Sequence, residues 1–152
     1  MNGFFLVNKE KNYTSNDVVQ KLKKKFSFKK VGHLGTLDPI AEGLIILAVN
    51  RATKFSNYFL ESDKSYFVEI KLGISTDTHD TTGQIVAKAP VKVTEKALKN
   101  EINNFLGTSL QKPPYFSALK HKGRPLYEYA RKGEFINKEP RQIEIKEIKN
   151  IT

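Results

Sequence analysis

The sequence predicts one α+β domain in which helices flank a β-sheet, and three observations lead to that prediction. Short alternating or apolar runs typical of strands are interspersed with segments of helical periodicity. The 152 residues, 39% hydrophobic and 11% aromatic, suffice for one hydrophobic core and argue against disorder. No internal repeat, low-complexity tract or linker divides the chain, so we predict that residues 1–152 form a single domain.

The first third of the chain predicts two strands and one helix. Residues 3–7 read Gly-Phe-Phe-Leu-Val, which predicts a first strand, and the six apolar residues 44–49 predict a strand covered on both faces. Between them, residues 14–17 (Thr-Ser-Asn-Asp) match a capping box at the start of a helix. One face of this helix carries Val18, Val19, Leu22 and Phe26. The other face carries Lys21, Lys23, Lys24 and Lys25, which fits either a solvated surface or a phosphate-contacting one.

The remaining elements follow from alternation, capping and turn residues. Residues 64–72 alternate, with Tyr66, Val68, Ile70 and Leu72 on one face, and predict a strand. Residues 77–83 predict a hairpin with Asx turns, because they lack the ordered acidic positions of a calcium loop. Thr94 predicts the start of a second helix that stops at Gly107. Its inward residues are Leu98, Ile102, Phe105 and Leu106. Consecutive prolines keep residues 111–120 extended, and a short helix at 126–132 and a strand at 141–146 follow.

Composition limits the classes of function. Twenty-six Lys and Arg against sixteen Asp and Glu give a formal charge of +10, which indicates a polyanion partner such as RNA, DNA or an acidic membrane, or else simply a soluble Lys-rich surface. Without cysteine, disulfides and thiolate or zinc–thiolate sites are excluded. No apolar run approaches the length of a membrane span and the N-terminus has no signal-peptide layout, so we predict a cofactor-free cytoplasmic protein.

A single carboxylate stands in a tight loop ahead of the predicted strand at 44–49. Pro39 pushes Asp38 toward an extended backbone, while Gly35 and Gly43 permit sharp turns on either side. A carboxylate on such a rigid support is well placed for chemistry. Taken alone, Asp-Pro is also an ordinary turn or helix-cap pair, so the local pattern leaves both readings open.

Residues 31–54 as a whole resemble the signature of the TruB family, the synthases that make pseudouridine 55 in the T arm of tRNA, whose pattern is close to GHTGTLDPxAxGxLxxxxGxATK. The segments 6–19, 63–83 and 113–141 resemble further blocks of the family in the same order. The resemblance implies a pseudouridine-synthase catalytic fold with a mixed, mainly antiparallel sheet. It also implies isomerisation of a uridine in the tRNA T loop, which needs no cofactor or metal and requires the base to leave its stack.

The resemblance implies roles for individual residues. Asp38 matches the catalytic aspartate, as nucleophile or as base, and Tyr66 matches the tyrosine that stacks on the flipped base. His33 matches a histidine that binds the substrate loop. Without the family, Tyr66 would be read as a core residue and His33 as a structural or solvated one. Candidate phosphate contacts are Lys9, Lys54, Lys64, Lys120 and Arg141, and Arg51 and Arg124 are secondary candidates.

Two departures from the family pattern bear on activity. Relatives continue into a Gly-Thr-Tyr-Ile-Arg-like block, whose arginine pairs with the catalytic aspartate, and into an RNA-binding PUA domain. We therefore expect residues 1–152 to be the N-terminal portion of a catalytic domain, without the PUA domain. Position 42 is Glu where many relatives carry Thr, and we predict that it points away from Asp38. The alternatives to a monomeric, tRNA-modifying enzyme are T-arm binding without chemistry and generic polyanion binding.

Overall fold

A computed structural model describes residues 1–152, which divide into two compact units, residues 1–67 and 68–152. The first unit is built on a three-stranded sheet of β1 (Gly3–Lys9), β2 (Val31–His33) and β3 (Gly43–Val49). The strand order is β1-β3-β2 and both pairings are antiparallel, with Gly3 opposite Val49 and His33 opposite Leu47. The most apolar strand, β3, thus occupies the centre: β1 pairs with its whole length and β2 with Leu47–Val49.

Helix α1 (Ser15–Phe26) begins at the predicted capping box. The Asp17 amide donates to Thr14 Oγ1 at 3.0 Å, and the Thr14 amide donates to the Asp17 carboxylate at 2.8 Å. These hydrogen bonds from Thr14 hold the pKa of Asp17 below its ordinary value. The apolar face of α1 contributes Val18 and Val19 to a core that also contains Ile45 and Leu47 of β3. The helix and the central strand therefore form the main core of this unit.

The rest of the first unit contains a 3₁₀ helix (Asn50–Phe55) and α2 (Ser56–Leu60). A second small core joins Leu34, Ala48 and Ala52. The predicted strand at 44–49 is confirmed as β3, but its coverage on both faces is not complete, because Leu44 is 62% exposed. Its neighbour across the ladder, Asn8, is polar and exposed, so the face of the sheet that carries Leu44 is uncovered at that end.

The second unit consists of short elements in three two-stranded sheets, and all three pairings are antiparallel. Strands β4 (Ile74–Thr76) and β5 (Ile85–Lys88) form a hairpin, and α3 (Glu95–Asn103) follows it. Strand β6 (Gly107–Gln111) pairs with β9 (Arg141–Ile145). Between them lie β7 (Lys120–His121), β8 (Arg124–Pro125) and α4 (Leu126–Ala130).

The α+β class, with antiparallel strands and flanking helices, is confirmed, as are the hairpin, the helix after Thr94 and the last strand. The strand predicted at 64–72 is wrong, because these residues pair with no strand and Tyr66 and Phe67 are 65% and 97% exposed. The inward placement of Phe105 and Leu106 is also wrong, since both lie past the end of α3 and are exposed. None of the helices combines the length and the apolar composition that a membrane-spanning helix requires. A single domain over 1–152 stays a prediction.

Candidate active site

The loop between β2 and β3 presents Asp38 to solvent on a tight turn. The Asp38 carbonyl accepts a hydrogen bond from the Ala41 amide at 3.0 Å, which closes a four-residue turn with Pro39 at its second position, where proline is favoured. Leu34 anchors the start of the loop, because its side chain is buried and its amide donates to the Ile46 carbonyl at 2.8 Å. The Asp38 side chain is exposed.

The segment that joins β1 to α1 braces this loop at three alternate residues. Ser15 Oγ donates to the Leu37 carbonyl at 3.0 Å and accepts from the Leu37 amide at 2.9 Å. The Asn12 amide donates to the Pro39 carbonyl at 2.8 Å. Lys9 Nζ donates to the Ala41 carbonyl at 2.5 Å. Residues 37, 39 and 41 are therefore fixed from one side, while Asp38 stays accessible.

Lys9 supports the loop from beneath and is only 1% exposed. Besides the Ala41 carbonyl, its Nζ donates to the carbonyls of Tyr13 at 2.8 Å and Glu10 at 3.1 Å. An ammonium has three N–H donors, so all three are engaged by the backbone and none faces an RNA phosphate. Burial lowers the pKa of Lys9, and the nearby carboxylates of Asp38 and Glu42 oppose that shift. The structure thus places this predicted phosphate contact in a supporting position.

His33 is the last residue of β2 and is partly exposed. Its Nδ1 lies 2.9 Å from the Gly35 carbonyl. A carbonyl oxygen only accepts, so Nδ1 carries the proton and Nε2 is the ring nitrogen left for another partner. Tyr66 lies in an extended segment of the same unit, and no hydrogen bond or ring contact joins it to Asp38 or His33. The structure therefore places both residues on the first unit, and neither makes a hydrogen bond with Asp38.

Glu42, the second carboxylate of the loop, faces the β1–α1 segment. Its Oε1 lies 4.0 Å from Lys11 Nζ, and the two side chains are 64% and 63% exposed. An ion pair this long and this exposed contributes little to stability. That Glu42 points away from Asp38 stays a prediction.

The other predicted phosphate contacts are exposed. Lys54 lies in the 3₁₀ helix, and Lys64 Nζ donates to the carbonyls of Phe59, Leu60 and Ser62 at 2.8–3.4 Å. Lys120 in β7 and Arg141 in β9 belong to the second unit. The densest positive charge of the first unit lies elsewhere, at residues 21–30, which contain six lysines and no carboxylate. Residues 1–152 contain no group of three or more His, Asp or Glu arranged to hold a metal ion.

The sequence gives no indication of two loop supports, Ser15 and Asn12. The capping box at 14–17 predicts the start of α1 correctly, but it carries no sign that Ser15 also reaches Leu37, 22 residues further along the chain. Asn12 acts through its backbone amide, which has no sequence signature. Its φ of 69° lies in the left-handed region, where asparagine is one of the few residues that is well tolerated.

The exposed Asp38 on its braced loop and the antiparallel sheet that carries it define the class of protein: a strongly basic α+β protein with one accessible carboxylate site. Residues 23–152 match the family described as TruB family pseudouridylate synthase (N terminal domain). The chain therefore belongs to the TruB family.

Three curated relatives, each named tRNA pseudouridine synthase B, show the extent of the similarity. The protein of Mannheimia succiniciproducens is 45% identical over 152 residues, which are 100% of this chain and 50% of the relative. That of Actinobacillus pleuropneumoniae is 46% identical over 151 residues, 99% of this chain and 50% of the relative. That of Acholeplasma laidlawii is 49% identical over 145 residues, 95% of this chain and 52% of the relative. The chain thus spans about half the length of the curated relatives that it matches.

Proposed function

We propose that this chain acts in the isomerisation of uridine 55 to pseudouridine in the T loop of tRNA, with Asp38 as its catalytic residue. The observation that carries the proposal is the exposed Asp38 carboxylate on a loop whose residues 37, 39 and 41 are fixed by hydrogen bonds. Membership of the TruB family and the names of the relatives support the reaction class and the tRNA substrate.

The reaction rearranges one nucleotide without adding or removing a group. The bond from C1′ to N1 of the uracil breaks, the base turns, and a bond from C1′ to C5 forms while the proton on C5 is released and N1 gains one. Asp38 serves either as the nucleophile at C1′ or as a base on the sugar. Both roles need an ionised carboxylate held in a fixed position, and the hydrogen bonds to residues 37, 39 and 41 hold the loop that carries it.

A uridine inside the T loop must leave its stack before its glycosidic bond is accessible, at a cost of about a few kcal/mol. The exposed ring of Tyr66 is available to stack on the extruded base. His33, with Nδ1 already bonded to Gly35, offers Nε2 to the substrate loop. Both residues thus remain candidates for substrate binding.

Phosphate contacts come from exposed cations. Lys54 offers one from the first unit, and the exposed ammonium of Lys64 can exchange its three backbone carbonyls for a phosphate. Lys120 and Arg141 offer them from the second unit. The formal charge of +10 favours encounter with RNA and predicts binding that weakens as salt rises. Lys9 is better explained as a support of the Asp38 loop than as a phosphate contact.

The test measures tritium released to water from a T-arm hairpin RNA labelled at C5 of the target uridine. The 152-residue chain is compared with Asp38→Asn and with Glu42→Gln, which removes one charge from the same loop. We expect release with the parent, none with D38N, unchanged hairpin binding in both variants, and E42Q within about threefold of the parent, because its exposed carboxylate makes only a long ion pair.

Three outcomes would contradict the proposal. Release that persists in D38N would exclude Asp38 as the catalytic residue. Hairpin binding without any release by the parent would mean that residues 1–152 bind the T arm without performing the chemistry. Equal affinity for the hairpin and for an unrelated RNA of equal length would identify generic polyanion binding.

A further inference from the structure

Ser15 joins the start of α1 to the residue that precedes Asp38. It is 4% exposed, and its hydroxyl uses its one donor on the Leu37 carbonyl and accepts from the Leu37 amide. A single side chain thus satisfies both backbone polar groups of Leu37. The capped first turn of α1 holds Ser15 itself in place.

These bonds restrict the backbone of Asp38. The Leu37 carbonyl and the Asp38 nitrogen belong to one planar peptide unit, so fixing the carbonyl fixes the plane on the N-terminal side of Asp38. The plane on its C-terminal side is fixed because the Asp38 carbonyl accepts from the Ala41 amide. Pro39 further disfavours the helical region for Asp38. With both flanking planes held, the direction in which the Asp38 side chain leaves the backbone is set.

Two side chains, Ser15 and Lys9, hold the loop, and Ser15 is the one that bonds the residue next to Asp38. The bond at Pro39 comes from a backbone amide, that of Asn12, and Lys9 acts at Ala41, on the far side of the turn. We propose that Ser15 is a positioning residue, whose hydroxyl aims the Asp38 carboxylate at the sugar of the target nucleotide. This inference rests on the proposed function for its chemistry, but its structural part can be measured without catalysis.

The experiment compares three variants of the 152-residue chain. Ser15→Ala removes the hydroxyl, and Ser15→Thr keeps it. Thr76→Val is the matched control, because it removes a partly buried hydroxyl that donates to the Asp80 carbonyl at 2.7 Å in the second unit. Each is measured for single-turnover pseudouridine formation and for the Kd of the T-arm hairpin. NMR gives the exchange rate of the Leu37 amide and the Hα–Hβ couplings that report the Asp38 χ1 rotamer.

We expect S15A to slow the single-turnover rate by about 10- to 100-fold with an unchanged Kd, because small displacements of a reacting group cost rates of this order. S15T and T76V should stay within threefold of the parent. In S15A the Leu37 amide should exchange at least tenfold faster, and the Asp38 couplings should move toward rotamer averaging. The Leu34 amide, which is bonded to Ile46, should keep its exchange rate.

The inference is overturned if S15A keeps the parent rate, if S15A and S15T are slowed alike, or if T76V is slowed as much as S15A. A parent chain that forms no pseudouridine would instead refute the proposed function. In that case the NMR comparison still decides the inference. Unchanged Asp38 couplings in S15A exclude a positioning role. Couplings that are averaged in S15A but keep their parent values in S15T support it.

Discussion

Replacing Lys9 by Met tests whether the buried ammonium stabilises the fold through the Asp38 loop. Lys9 is 1% exposed and donates to the carbonyls of Glu10, Tyr13 and Ala41. Hydrogen bonds to a charged group contribute about 1.5 kcal/mol each at the lower end of the measured range, so three of them give roughly 4–5 kcal/mol. Removing a buried charge relieves desolvation and offsets about 1–2 kcal/mol of that loss. We therefore expect K9M to lower the free energy of unfolding by about 3 kcal/mol.

Lys64→Met is the matched control, because Lys64 also donates to three backbone carbonyls but is exposed. Water can replace those bonds, so we expect K64M to change the free energy of unfolding by less than about 0.5 kcal/mol. Urea unfolding followed by far-UV circular dichroism measures both, since the chain has no Trp. Equal losses in K9M and K64M, or a loss below about 0.5 kcal/mol in K9M, would refute the assignment of Lys9 as a loop support.

Three further predictions concern the core, the helix start and pH. Leu47→Ala should lower the free energy of unfolding by about 3 kcal/mol in urea titrations, because Leu47 is fully buried. Leu44→Ala in the same strand should lower it by less than about 1 kcal/mol, because Leu44 is exposed. Similar losses in both variants would contradict the packing described for β3. Thr14→Ala should cost about 1 kcal/mol through the lost cap, measured in the same way, and no loss would mean that the capping box is not formed in solution. Burial acts to raise the pKa of Asp80, but hydrogen bonds from Thr82 and Thr78 outweigh it and hold that pKa below its ordinary value. The stability that Asp80 contributes is therefore complete above about pH 4 and is lost as pH falls through the lower pKa of the folded state. Asp80→Asn should be less stable than the parent at pH 7 by about 1–2 kcal/mol, and this difference should shrink below about pH 4 in a pH series of urea titrations; a difference that stays constant with pH would exclude the carboxylate as its source.

Local signals explain why α1 and the β4–β5 hairpin could be predicted. A capping box is complete within four residues, and the turn at 77–83 is closed by bonds to the Asp77 and Asp80 carboxylates from residues no more than seven positions away. The strand predicted at 64–72 shows the limit of such signals. Alternation of apolar and polar residues shows that a segment is able to form a strand. A strand exists only when a neighbouring strand supplies its hydrogen bonds, and no strand pairs with residues 64–72.

The sequence predicts that the candidate site contains Asp38, but it does not predict the residues that support the Asp38 loop. Its key bonds join residues far apart in sequence, Lys9 to Ala41 and Ser15 to Leu37, and periodicity cannot report such contacts. Lys9 shows the difference most clearly. A lysine in a basic chain is by default a surface group, and only the fold reveals that this one is buried against carbonyls. The strand β2, three residues long with a central Gly, was also too short for a sequence pattern to mark.

The segment from Lys9 to Asp17 links the start of a helix to the geometry of the candidate site. Thr14 and Asp17 fix the first turn of α1, that turn fixes Ser15, and Ser15 fixes Leu37 next to Asp38. Thr14 makes no hydrogen bond with the loop itself. Because these bonds form one series, weakening the bonds between Thr14 and Asp17 should nevertheless loosen the bonds between Ser15 and Leu37. Thr14→Ala should therefore raise the exchange rate of the Leu37 amide as well as destabilise α1. If that amide exchanged at the parent rate in T14A, the cap and the loop would be independent, and burial rather than the cap would keep Ser15 in place for its bonds to Leu37.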